Sequence, residues 1–154
     1  MLALVFQIGS ERFALDVRRI QEVVPRVPLQ ALSGVPPIFA GAFVYRGQVV
    51  PVLDLHRLAG AGDCPPHLSS RIILVPQPSD EGGRLLGLLA SQVADLQEIQ
   101  PDGQALTPLQ ENGRLDLGPI LADRGGLIRL LDLDRLYPAL AHGQLSILER
   151  REPG

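Results

Sequence analysis

The feature that most limits what this chain can fold into is an internal repeat. Residues 17–25, VRRIQEVVP, recur as residues 93–101, VADLQEIQP, with Val, Gln, Glu and Pro unchanged. Residues 46–55, RGQVVPVLDL, recur at nearly the same offset as residues 124–133, RGGLIRLLDL, with half the positions identical and three more aliphatic in both copies. Two matches in the same order imply a tandem of two similar units, each too small to bury a good core alone and stabilised by sharing one.

The repeated pattern is a strand pattern. Within residues 40–55, AGAFVYRGQVVPVLDL, two apolar arms flank Arg46, Gly47 and Gln48, which reads as a β-hairpin with the glycine in a positive-φ position. The arm after the turn is almost wholly apolar and calls for cover on both faces. Asp54, and Asp132 at the same place in the second copy, then read as helix N-caps; Asp54 is followed by about one helical turn and a stop at Gly60.

Taken in order, Leu2, Leu4, Phe6 and Ile8 alternate with smaller or polar residues, as in a strand with one strongly buried face. A turn at Gly9-Ser10-Glu11 leads to a second strand over residues 12–17. Residues 17–25 suit a short helical turn running into a strand, and residues 25–37, rich in proline, predict an irregular connection. Residues 56–70 are poor in large apolar groups and carry GAGD and CPP, which marks a hinge between two halves. A second hairpin follows around SDEGG, a third around Arg124-Gly125-Gly126, and a tail with helical composition broken by Pro138 and Gly143. The expected fold is mainly β: two five-stranded barrels sharing a core, with short helices including a C-terminal one. The whole of residues 1–154 forms one domain, with about 14–70 as first barrel and hinge and about 71–132 as second barrel. Exchange of the N-terminal strand and C-terminal tail between the barrels stays open.

Composition removes several functions. All fourteen basic residues are arginine, the net charge is -3, and no basic run exceeds a pair. That argues against nucleic acid as a partner. Six aromatic residues and no tryptophan leave no base-stacking platform. No apolar run approaches the ~18 residues of a membrane span. The apolar N-terminus lacks the charged region and cleavage site of a signal peptide, and the one cysteine, Cys64, fits a reducing compartment, so a cytoplasmic protein is expected.

No Walker loop, GxGxxG, GxSxG or catalytic carboxylate pair is present, and no cofactor is expected. A small metal-dependent enzyme using Asp54, His56, His67 and Cys64 is the weak alternative, because these groups ligate zinc but show no metal-site spacing. Filled barrels leave grooves and strand edges instead of a substrate cavity, which favours docking of other proteins.

The succession FQIG, FALDVRRIQEVVP, GAFVYRGQVVPVLDL, RIILV, VADLQEIQ and ADRGGLIRLLDLDRL resembles the CheW-like coupling domain of bacterial chemosensory arrays along nearly the whole chain. Its most specific part is the G-x-x-x-x-R-G-x-x-x-P-x-x-D-L pattern of residues 41–55, with the acidic residue of VRRIQEV. The resemblance implies two SH3-like barrels about a shared core. It also implies a non-enzymatic adaptor that joins the cytoplasmic tip of a methyl-accepting chemoreceptor to the regulatory domain of a CheA-type histidine kinase, with self-association in array rings left open. On this resemblance Glu22 and Arg46 meet the receptor tip, with Ile20 and Val24 as apolar neighbours, and Ala40, Gly41, Ala42 and Phe43 face the kinase. The protein would sit in the cytoplasm, held to membrane-anchored receptors by protein contacts without inserting in the bilayer. Where the family usually has Asn-Leu before Arg-Gly, this chain has Val44-Tyr45, which points to a different receptor choice and leaves flagellar and alternative arrays, for surface motility or second-messenger control, both open. A regulatory domain derived from a kinase is the other alternative; the Met start and the polar end REPG favour an independent adaptor.

Overall fold

The computed structural model describes residues 1–77, 83–100, 105–106, 117–123 and 125–139. The tip of the second hairpin, Pro101, Arg124 and the tail beyond 139 lie outside the described residues. The architecture is mainly β, as expected, with a few short helices.

The strands are β1 (Leu2–Ile8), β2 (Glu11–Asp16), β3 (Glu22–Pro25), β4 (Phe39–Tyr45), β5 (Gln48–Asp54), β6 (Arg71–Pro76), β7 (Leu85–Glu98), β8 (Ala105–Leu106), β9 (Ile120–Asp123) and β10 (Gly126–Leu130). A 3-10 turn covers Val17–Arg19, and the helices are α1 (Leu55–Leu58) and α2 (Leu133–Ala139). Pairing sorts the strands into two groups. The first runs in the order β3, β6, β7, β5, β4; the second runs β7, β1, β2, β10, β9, β8. β7 belongs to both. Its residues 85–90 pair with β6, and residues 91 and 95–98 pair with β1.

The passage between groups is therefore made inside one strand. Ser91 and Gln92 mark it: Gln92 has φ 48, and the β1–β7 register shifts between Val5 and Gln7. Such bulges bend a strand and increase its twist. The expected hinge at residues 56–70 instead connects β5 to β6 within the first group, and it is tied in by buried Cys64 and Ser70. The pairing of β6 with β3 likewise crosses the expected divide near residue 70.

Alternation of side chains explains why both groups need each other. Along β6, Ile72 and Leu74 enter one apolar cluster with Val24, Val50, Val52 and Leu89, while Ile73 and Val75 enter another. That second cluster is shared: Phe6, Ile8, Phe13 and Leu15 of the second group meet Leu53, Leu86 and Leu88 of the first. A third, smaller cluster, Ala3, Ala14, Ile99, Leu121 and Ile128, fills the other face of β1 and β2. β1 thus buries both faces, not one, while Leu2 at its end is exposed.

Both Asp N-caps predicted from the repeat form. The Asp54 carboxylate accepts from the backbone N–H groups of His56 (2.8 Å) and Arg57 (3.3 Å), and Asp132 accepts from Asp134 (3.0 Å). Only Asp54 is fully buried, and its second oxygen takes a further bond from the Cys64 N–H at 3.0 Å.

Candidate partner-docking site

The β4–β5 hairpin closes with Tyr45 opposite Gln48, leaving Arg46 and Gly47 as a two-residue turn. Both are left-handed, at φ 47 and 81, which is the type I′ geometry that matches strand twist. Glycine adopts this freely; arginine does so at some cost. The turn lifts the Arg46 side chain into solvent, 73% exposed, and swings its guanidinium to 3.3 Å from Glu22 Oε1. The same guanidinium stands 5.1 Å from the centre of the Tyr45 ring. The Tyr45 hydroxyl donates to Glu22 Oε1, and this bond to a carboxylate holds the phenol above its ordinary pKa.

The structure places Glu22 and Arg46 against each other and adds Tyr45, which completes the cluster and which sequence reasoning did not name as part of the site. Its signal was available: Tyr45 shares a strand face with Phe43, two residues back, and the two rings meet edge to face at 6.3 Å. Exposed ion pairs of this kind contribute only about 0–1 kcal/mol to folding. The three side chains are arranged at the surface for little gain in stability.

The apolar neighbours divide. Ile20 is half-buried against the shared core. Val24 points inward and is 9% exposed, so it cannot floor a surface site; strand alternation turns Val23 outward in its place. On the opposite face of the hairpin Val44 and Val49 form an exposed cross-strand pair.

Of the stretch expected to face the kinase, Ala40 and Phe43 are partly exposed, whereas Gly41 and Ala42 are buried. Their cover is the proline-rich connection: Gln30 exchanges two backbone hydrogen bonds with Ala42, both 2.9 Å. A Cβ at Gly41 would stand 2.5 Å from the Gln30 carbonyl, so only glycine admits this approach. The edge of β4 at Ala42 is already paired within the chain.

Three of the four residues weighed as metal ligands, Asp54, His56 and Cys64, are engaged elsewhere. Asp54 caps α1, and His56 is buried with both ring nitrogens in hydrogen bonds. Burial pushes the Cys64 thiol above its ordinary pKa, away from the thiolate a metal needs. Among the described residues no cluster of three or more His, Cys, Asp or Glu could hold a metal ion, and no helix is long and apolar enough to cross a membrane.

Comparison with known proteins agrees with this architecture. Residues 2–140 match the CheW-like domain family. The chain is 25% identical to the chemotaxis protein CheW of Rhizobium meliloti, over 88% of this chain and 86% of that protein. It is 27% identical to a probable chemotaxis protein CheW of Rhizobium etli, over 87% and 85%. The crystal structure of the scaffolding protein TtCheW from Thermoanaerobacter tengcongensis superposes with a TM-score of 0.73 at 25% identity, covering 86% of this chain and 84% of that one. With its repeat, its shared core and its Arg-Gly hairpin accounted for, the chain belongs to the CheW-like domain family, a family of non-enzymatic scaffold and adaptor proteins.

Proposed function

We propose that this protein couples the cytoplasmic tip of a methyl-accepting chemoreceptor to the regulatory domain of a CheA-type histidine kinase. The reading is supported above all by the Glu22–Tyr45–Arg46 cluster, a group of fixed charges at the surface of a chain that is CheW-like along most of its length. A helical receptor tip needs a few placed charges to set its register, and a surface acid and arginine held to each other can exchange partners with it at little net cost. Ile20 and the outward Val23 supply the apolar neighbours, while Ala40 and Phe43 face the kinase. In this role the protein reaches the membrane only through its receptors. Which output the array serves, flagellar, surface motility or second messenger, follows from the receptor and kinase that bind.

The test is co-purification with a receptor cytoplasmic fragment and the kinase. An Arg46→Ala protein should keep the native unfolding midpoint, because its ion pair is exposed, and should lose capture of the receptor fragment. Undiminished capture by a folded Arg46→Ala protein counts against the assignment.

A further inference from the structure

His56 has no part in that surface cluster, yet both nitrogens of its buried ring are engaged in hydrogen bonds. It is 2% exposed, in α1, at the end of the first strand group. Its Nδ1 accepts a hydrogen bond from the backbone N–H of Gly9, in the β1–β2 turn of the second group, at 3.3 Å. Its Nε2 lies 3.0 Å from Ser91 Oγ, at the bend of β7, and Ser91 Oγ lies 3.1 Å from the Gln7 carbonyl of β1.

These contacts allow one assignment of protons. A backbone N–H can only donate, so Nδ1 is bare and Nε2 carries the hydrogen. Nε2–H then donates to Ser91 Oγ, and the Ser91 hydroxyl donates to the Gln7 carbonyl. Asp54 orients the start of this chain by capping the His56 N–H at 2.8 Å. Every link is satisfied in one direction only.

We propose that His56 is a latch that fixes the angle at which the two strand groups meet. The surroundings explain why one is needed. The shared core at this junction is apolar, with Phe6, Ile8, Leu53, Leu55, Leu88 and Val93, and apolar packing is non-directional. β7 passes between the groups through Gln92 at φ 48 and a register shift, a bend that its backbone ladder does not span. The imidazole supplies direction, joining α1, the β1–β2 turn and the bend of β7 at one point. Tyr137, whose hydroxyl donates to the Pro76 carbonyl at 2.6 Å, links α2 to β6 but does not reach the bend.

The test compares residual dipolar couplings of the whole native chain with those of His56→Phe, which keeps a ring and loses both bonds, and Ser91→Ala, which removes one hydroxyl. In both variants the couplings within each strand group should be retained while the orientation of one group relative to the other shifts. Exchange of the Gly9 amide should rise roughly tenfold in His56→Phe, about the loss of one hydrogen bond. If His56→Phe fails to fold, Ser91→Ala decides alone. A relative orientation unchanged from the native protein overturns the proposal whatever the exchange rate, and it does so without bearing on receptor or kinase capture.

Discussion

The phenol of Tyr45 donates a hydrogen bond to the carboxylate of Glu22, and in doing so joins β4 to β3, the two strands that end the pairing order of the first group. Sheet twist brings the ends of a five-stranded group round toward each other. Here side chains close the gap that the backbone ladder leaves open.

This bond sets the first prediction, for the two tyrosines. Glu22 holds the Tyr45 phenol above its ordinary value of 10.0 chiefly by the hydrogen bond, whereas burial pushes Tyr137 up to about 12. In Glu22→Ala the Tyr45 midpoint should fall back toward 10.0 and that of Tyr137 should stay, read by ultraviolet absorbance titration. A Tyr45 midpoint that does not move would show that the bond is not formed in solution.

A second prediction concerns the repeated Arg-Gly pair. Gly47 has open space around its Cβ position but φ 81, so Gly47→Ala should cost about 1–2 kcal/mol through backbone strain alone. Gly125 has no such φ; the positive angle falls on Gly126, and a Cβ at Gly125 would stand 3.0 Å from Arg12 Nη1. Arg12 is held there by two bonds to Asp123, at 3.0 and 3.1 Å, which also keep the Asp123 carboxyl below its usual range. Gly125→Ala should therefore cost about 1 kcal/mol by displacing that pair. In an Arg12→Ala background the Gly125 penalty should vanish and the Gly47 penalty persist, measured by urea unfolding in a double-mutant cycle.

The third prediction is a dependence of stability on pH. Burial holds His56 below its ordinary pKa of 6.5; Arg26 acts in the same direction and Asp54 opposes it. The unfolded chain therefore takes up a proton near pH 6.5 that the folded chain refuses. The contribution of neutral His56 is complete above that value and is lost as pH falls from 6.5 toward the lower folded pKa. Thermal unfolding midpoints between pH 7.5 and 5 should decline in the native protein and decline less in His56→Phe. Asp16 and Asp123, whose carboxyls are held below 3.8, titrate beneath this window and do not confuse it.

Local rules were legible where a residue acts on its near neighbours. The hairpin at Arg46-Gly47, the caps at Asp54 and Asp132 and the short helical turn before β3 all depend on φ preferences and hydrogen bonds within a few residues, and all formed as the pattern indicated. The inward turn of Val24 and the cover laid by Gln30 over Gly41 and Ala42 were not legible, because each depends on a strand distant in sequence.

By itself, the amino-acid order determined that the chain would be mainly β with apolar strand faces in need of cover, since alternation is a property of the chain alone. Only the tertiary structure decided what each repeated residue does. Residues 17–25 form a 3-10 turn and a short strand, yet most of their counterpart in the second copy lies in β7. Gly47 serves a turn, while Gly125 makes room for an arginine. The physical reason is that similar segments meet different neighbours once β7 is shared, and burial, not local preference, then selects the conformation and the role.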